Sequence, residues 1–173
     1  MDFQTFFKDK SLKPKEKTEA LSEHISNNPG QIARLVEFAR AAKDPIKATC
    51  IEALEFVTQS KPGLVDRPTF DFIVESLGGK APRVKWESAK VIGNAARNFP
   101  DKLEEAVAAL LTNTEHDGTV VRWSAAYALG EIAKLKTPLN EELLPAIDAI
   151  LAREEKNSIR KVYEKALKEI KKG

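Results

Sequence analysis

The 173-residue sequence predicts an all-α fold, a solenoid of about four two-helix repeats with an N-terminal helical cap. Three observations predict this class. Four segments of 13 residues align without gaps, their apolar residues recur with the period of a helix, and turn-forming residues separate the helices. Because such a repeat buries its apolar side only against its neighbours, we expect one stacked domain over residues 1–173.

The composition is that of an ordinary folded chain, with 42% hydrophobic and 31% charged residues. A net charge of +2 identifies no partner. The single cysteine, Cys50, excludes an intrachain disulfide and favours a reducing cytoplasm. No apolar run approaches the ~20 residues of a membrane span, and lysines interrupt the N-terminus where a signal peptide is apolar. We therefore expect a cytoplasmic protein that does not bind a membrane.

The first element is an irregular helix pair within residues 1–29. Residues 3–9 and 15–27 are predicted helices that share an apolar side. This side comprises Phe3, Phe6, Phe7, Leu12, Leu21 and Ile25. Such a pair is expected to cap the end of the core that the first full repeat exposes.

The second helix of each repeat gives the strongest signal. The aligned segments begin at Pro45, Arg83, Val120 and Ser158, so their starts are 38, 37 and 38 residues apart. Apolar positions recur at i, i+4, i+7, i+8 and i+11, as in an amphipathic helix. The second and third positions of each segment are an aliphatic residue and a basic one, namely Ile46–Lys47, Val84–Lys85, Val121–Arg122 and Ile159–Arg160.

A first helix is predicted ahead of each second helix. Apolar groups spaced i, i+3, i+4 stand there, for example Phe70, Ile73 and Val74. Turn residues such as Gly78 and Gly79 separate the two helices of a pair, and Asn140 is the expected N-cap of the last first helix. The predicted repeats cover residues 30–60, 68–98, 101–135 and 140–172.

Helix pairs of this length, with Val-Arg or Val-Lys opening the second helix and Ala-Leu-Gly within it, resemble the HEAT repeat family. The clearest stretch is DGTVVRWSAAYALGEIAKL, from Asp117 to Leu135. The resemblance covers roughly residues 30–172 and is weaker in the first and fourth repeats, where Glu55 and Lys168 replace the usual glycine. It implies a right-handed α-α superhelix of HEAT/armadillo-like type that presents a concave surface to peptides, proteins or nucleic acid.

The concave face follows from the helical register. With ~100° per residue and Val84 turned to the core, Trp86, Lys90, Gly93 and Arg97 lie opposite the core. The aligned positions are Ala48, Glu52, Glu55 and Gln59 in the first repeat, Trp123, Tyr127, Gly130 and Lys134 in the third, and Lys161, Lys165, Lys168 and Lys172 in the fourth. The predicted face therefore runs from acidic, through aromatic, to lysine-rich.

From this face we predict a partner-binding set, because aromatic and basic residues dominate many interfaces. The set is Trp86, Lys90, Arg97, Trp123, Tyr127, Lys134, Lys161 and Lys165. Two alternatives stay open: the aromatics pack sideways between repeats, and the terminal lysines only maintain solubility. Gly93 and Gly130 equally fit a close ligand or close helix packing.

Three other features of the sequence have a structural interpretation. The basic residues at the third segment position, Lys47, Lys85, Arg122 and Arg160, are expected to pair with acids such as Asp44 or Asp117, or with helix ends. Cys50 falls on an inward helix position and is expected in the core. Carboxylate pairs at predicted helix starts are explained by the helix dipole.

No catalytic residue, cofactor site or metal ligand is predicted. His24 and His116 are the only histidines and have no partner at metal-binding or nucleophilic spacing. The Gly78–Gly79 doublet follows no strand, so it is no phosphate-binding fingerprint. We therefore predict a non-enzymatic protein without cofactors.

The predicted function is a scaffold for a protein or peptide partner, with an acidic segment among the options. A nucleic-acid-binding module is the alternative, since basic grooves with aromatics hold phosphate backbones. Some HEAT-like proteins are glycosylases of alkylated DNA, with a carboxylate beside an aromatic residue. Here Lys90 and Tyr127 occupy those places, and only Glu131 or Glu52 is near. The oligomeric state stays open.

Overall fold

The computed structural model describes the whole chain, Met1–Gly173, as ten α-helices without a strand. The helices are α1 (Phe3–Lys8), α2 (Pro14–Asn27), α3 (Ile32–Ala41), α4 (Asp44–Ser60), α5 (Arg67–Ser76), α6 (Pro82–Ala95), α7 (Leu103–Asn113), α8 (Thr119–Ala133), α9 (Asn140–Arg153) and α10 (Asn157–Lys172). Short 3₁₀ turns at Pro29–Gln31, Pro62–Leu64, Ala96–Asn98 and Pro100–Lys102 join several of them. The predicted all-α repeat superhelix is confirmed.

The helices form two layers. The second helices α2, α4, α6, α8 and α10 pack on one another in chain order along the whole molecule. Each of the first helices α3, α5 and α7 contacts the first helix of the next repeat far more sparsely. The second helices therefore lie closer together, and the superhelix curves towards them. The concave face is the side of the second helices that is turned away from the first helices.

One continuous apolar core runs through all the pairs, from Phe3 in α1 to Tyr163 in α10. Leu21 of α2 is fully buried, so the cap helices cover the start of this core. Cys50 is also fully buried, as its inward position predicted. Burial raises the pKa of the Cys50 thiol to about 12, which keeps it protonated and unreactive.

Basic residues near the start of the second helices bind the end of the preceding first helix. Lys85 donates to the Leu77 carbonyl at 3.1 Å. Arg160 donates to the carbonyls of Leu151 and, at 3.1 Å, of Glu154. Each thereby satisfies carbonyls that a helix C-terminus leaves without an intrahelical partner. The expectation that this ladder pairs with helix ends holds for these residues, whereas the side chain of Lys47 makes no hydrogen bond.

Arg122 extends the ladder to the next repeat. It donates to the carbonyls of His116 and Asp117, both at 3.0 Å, and to the Glu154 carboxylate at 3.0 Å. The acidic partner is thus Glu154 of the following repeat, and the expected pairing with the side chain of Asp117 is wrong. Asp117 contributes its carbonyl because it lies in the turn that Arg122 closes.

The predicted N-cap at Asn140 is also wrong. Helix α9 begins at Asn140 itself, with Leu139 at the cap position. The Asn140 amide instead donates to the Ala133 carbonyl at 2.8 Å, at the end of α8. Helix α8 stops there because Lys136 adopts a left-handed conformation with φ 55°.

Candidate partner-binding face

The most exposed aromatic surface of the concave face is a stacked pair on α8. The rings of Trp123 and Tyr127 have centroids 6.1 Å apart and an interplanar angle of 10°. Trp123 is 37% exposed and Tyr127 is half-buried. The Tyr127 hydroxyl donates to Asn94 Oδ1 of α6 at 2.5 Å. Burial, with the nearby charges of Glu131 and Glu55, raises the pKa of Tyr127 and keeps this donor protonated.

Two glycines bring the second helices together at this pair. A Cβ placed on Gly93 would lie 2.5 Å from Tyr127 Cε1, so the tyrosine ring covers Gly93 directly. A Cβ on Gly130 would lie 3.0 Å from the Ala166 Cβ of α10. Of the two sequence-based interpretations, close packing therefore applies at both positions. Gly93 in particular is not open to a ligand.

Trp86 lies on α6 beside a buried acid that the sequence patterns did not single out. It is half-buried, and its indole N–H donates to Glu87 Oε1 at 2.9 Å. Lys90 Nζ lies 3.0 Å from Glu87 Oε2 and 4.0 Å from Glu55 Oε2. Burial raises the pKa of Glu87, and Lys90 opposes this effect. The charge of Lys90 is therefore compensated within the protein.

The acids at the first-repeat end of the concave face are paired as well. Glu52 accepts from Arg83 and from the Thr18 hydroxyl, both at 2.7 Å. Glu55 is 5% exposed and accepts from the Gln59 amide at 2.7 Å. These carboxylates therefore hold neighbouring helices together. Neither Glu52 nor Glu55, the acids that the sequence predicts at this end, is therefore unpaired.

Lys134, just past the end of α8, bridges two helices. It pairs with Glu131 of α8 and, at 3.1 Å, with Glu169 of α10. Burial lowers the pKa of Lys134, but its hydrogen bonds with the two carboxylates outweigh burial and raise the pKa overall. Glu131 and Glu52, the acids that the sequence predicts near the aromatics, are thus both committed to ion pairs.

Arg97 departs from the predicted register. Helix α6 ends at Ala95, and Arg97 follows in the 3₁₀ turn Ala96–Asn98. It is exposed and makes neither a hydrogen bond nor an ion pair. A register carried through from Val84 placed it on the helix because the tighter turn leaves no signal in the apolar spacing.

Apart from Arg97, the unpaired positive charges predicted for the concave face lie on α10. Its lysines at this side are exposed and form no ion pair, in contrast to Lys90 and Lys134. They are Lys161, Lys165, Lys168 and Lys172. The lysine-rich end is therefore the part of the predicted charge gradient that faces solvent uncompensated.

A cleft of about 190 Å³ opens between α8 and α10. It is lined by Trp123, Tyr127, Gly130, Glu131, Lys134, Val162, Lys165, Ala166 and Glu169. We call it the anchor cleft. Sequence reasoning missed Val162 and Ala166, because they align with the buried residues Glu87 and Val91 of α6, at positions that the register assigns to packing. Their i, i+4 spacing beside Lys161 and Lys165 was the available signal.

Neither a metal cluster nor a membrane-spanning helix is found in the described chain. No three His, Cys, Asp or Glu side chains are grouped so as to hold a metal ion. None of the ten helices combines the length and the apolar character needed to cross a membrane.

Comparison with known proteins agrees with this geometry. A family model described as a HEAT-like repeat matches residues 82–132, from α6 to α8. A designed armadillo repeat protein in complex with the peptide (KR)4 is similar, with a TM-score of 0.70 and 21% identity over 90% of this chain and 74% of that one. No curated protein matches the sequence.

Two other solved structures share the fold. An engineered protein superimposes with a TM-score of 0.76 at 19% identity, over 95% of this chain and 75% of that one. A chain from the complex of CpcE and CpcF of phycocyanin lyase from Nostoc sp. PCC7120 gives a TM-score of 0.54 at 17% identity, over 80% of this chain and 98% of that one. At these identities the likeness concerns the fold.

Proposed function

We propose that this chain, which has the fold of a HEAT/armadillo-like repeat superhelix, is a non-catalytic scaffold that binds a protein or peptide segment on its concave face. The observation that carries the proposal is the stacked pair Trp123 and Tyr127, partly exposed beside a cleft and beside unpaired lysines. Exposed aromatic surface next to cations is typical of binding sites. A reducing cytoplasm is the proposed location, in which the lone buried Cys50 stays a thiol.

The proposed binding residues differ in whether their charges are already paired within the protein. Trp86, Trp123 and Tyr127 supply apolar contact area. Arg97, Lys161 and Lys165 have no partner in the protein, so they are available to attract an acidic segment. Lys90 and Lys134 stabilise the concave face, since both are already engaged in ion pairs within the protein.

Affinity purification of partners with matched variants tests this proposal. Trp123→Ala and Trp86→Ala remove apolar surface from the concave face, and Leu111→Ala removes a half-buried apolar side chain from α7 in the outer layer. We expect Trp123→Ala to lose partners that wild type and Leu111→Ala retain. Identical partner sets for all four proteins, with unchanged circular dichroism spectra, would exclude the aromatic face as the binding surface.

Nucleic acid is the second candidate, favoured by the four unpaired lysines on the concave side of α10. Phosphate binding releases counterions, so the logarithm of affinity would fall steeply and linearly with the logarithm of salt concentration. Titration of single-stranded and duplex DNA and RNA at low salt tests this directly. Absence of saturable binding there eliminates the nucleic-acid candidate and leaves the protein scaffold.

A further inference from the structure

The walls of the anchor cleft are apolar and come from two repeats. Trp123 and Tyr127 of α8 face Val162 and Ala166 of α10 across it. The helices approach closely at Gly130, where a Cβ would lie 3.0 Å from that of Ala166. Its volume of about 190 Å³ is somewhat larger than that of an apolar protein cavity that binds benzene, which is about 150 Å³. The cleft therefore has room for one side chain of leucine or phenylalanine size.

Three of the four ionic groups that line the cleft are paired with one another. Its lining contains two carboxylates, Glu131 and Glu169, and two ammonium groups, Lys134 and Lys165. Lys134 is bound to both carboxylates, and this bridge joins α8 to α10. A cationic occupant would have to displace Lys134 to reach an acid. The interior thus favours a neutral, apolar occupant.

The surroundings of the anchor cleft are different. Lys161, Lys165 and Lys168 follow one side of α10 at i, i+4 and i+7, are exposed and pair with no acid. A chain segment whose side chain enters the cleft must pass these ammonium groups. Acidic residues on both sides of the inserted side chain would meet uncompensated positive charge.

Resting on the proposed function, we infer that the anchor cleft takes one large apolar side chain from an acidic partner segment, whose flanking carboxylates contact Lys161 and Lys165. The site thereby assigns the partner a chemistry: an acidic stretch interrupted by a single leucine-like or phenylalanine-like residue. The aromatic residues of the cleft select the apolar side chain of the partner, and the lysines of α10 select its acidic flanks.

Three short fluorescent peptides test the ligand chemistry by anisotropy with the full chain. One has three glutamates on each side of a leucine, one has serine in place of the leucine, and one is (KR)4. Filling an apolar site predicts at least about tenfold tighter binding of the leucine peptide than of the serine peptide. Equal affinity for these two, or preference for the basic peptide, overturns the inference.

Two variants test the location. Val162→Phe places a ring in the cleft, and Val107→Phe makes the same change on α7 of the outer layer. We expect Val162→Phe to remove the preference for leucine over serine, while Val107→Phe keeps it. The same preference in both variants overturns the inference. Thermal unfolding by circular dichroism verifies that each variant is folded.

A charge reversal gives an independent readout. The double substitution Lys161→Glu and Lys165→Glu reverses the charge at the rim of the anchor cleft, which is formed by the α10 lysines. The double substitution Lys10→Glu and Lys80→Glu makes the same change of net charge at exposed residues elsewhere. Only the first double substitution should weaken binding of the leucine peptide, by at least about tenfold at low salt. Equal effects of the two pairs mean that net charge, and not the rim, attracts the peptide. That result would refute the inference but leave the scaffold proposal, which depends on partner loss in Trp123→Ala.

Discussion

Replacing Gly93 by alanine tests the contact that positions Tyr127 on the concave face. The new Cβ would lie 2.5 Å from Tyr127 Cε1 and 2.8 Å from Cδ1, so the ring or the helix must move. Overpacking of this kind costs about 1–3 kcal/mol. Displacing the ring also weakens the Tyr127–Asn94 hydrogen bond, which contributes about 1 kcal/mol.

An opposing contribution comes from helix propensity, because alanine is about 1 kcal/mol more favourable than glycine inside a helix. The net expectation for Gly93→Ala is therefore a loss of about 1–3 kcal/mol of unfolding free energy. In a Tyr127→Ala background the obstructing ring is absent, so the same substitution should stabilise the protein by up to about 1 kcal/mol. The change of sign is the specific prediction of the observed packing.

Urea unfolding of the four proteins in this double-mutant cycle, followed by circular dichroism, measures the effect. Gly63→Ala is the control, since a Cβ there meets no atom within 4 Å. It should leave the unfolding free energy within about 1 kcal/mol of wild type. An equal effect of Gly93→Ala in both backgrounds would refute the inferred contact with Tyr127.

Three further substitutions test buried polar groups by the same unfolding assay. Arg122→Met leaves the Glu154 carboxylate without its cation and should cost about 2–4 kcal/mol; a change below about 0.5 kcal/mol contradicts this. Tyr163→Phe removes a buried hydroxyl that has no hydrogen-bond partner and should be neutral or stabilising by about 1 kcal/mol, so a clear loss contradicts it. Burial raises the pKa of Glu87, so wild type loses stability as pH rises through that pKa. Glu87→Gln should therefore gain stability relative to wild type as the pH rises above the ordinary glutamate pKa of 4.5, and a constant difference would contradict the raised pKa.

The repeat architecture could be predicted because it depends on the spacing of apolar residues that are close together in the sequence. The second helices recur at nearly constant intervals, and their apolar period is that of a helix throughout. The register also places Trp123 and Tyr127 on one exposed side of α8, where the structure has them. Cys50 shows the same logic for the core, since its inward position needs only the helical period.

Interactions between repeats could not be predicted in the same way. The partners of Lys90 and Lys134 include Glu55 and Glu169, each 35 residues away in sequence, and helical spacing says nothing about such pairs. Asn140 failed as an N-cap because it is itself the first residue of α9, while its amide donates to the end of the preceding helix. The anchor cleft depends on the distance between α8 and α10, which the small residues at Gly130 and Ala166 set.

Binding of the partner to the concave face is the central proposal. Amide chemical-shift mapping of the nitrogen-15-labelled chain, with a partner segment recovered by affinity purification, tests it most directly. A concave binding face predicts perturbations at Trp123, Gly130 and Lys161 and along the concave side of α6, α8 and α10. Perturbations confined to the first helices α3, α5 and α7 would contradict it.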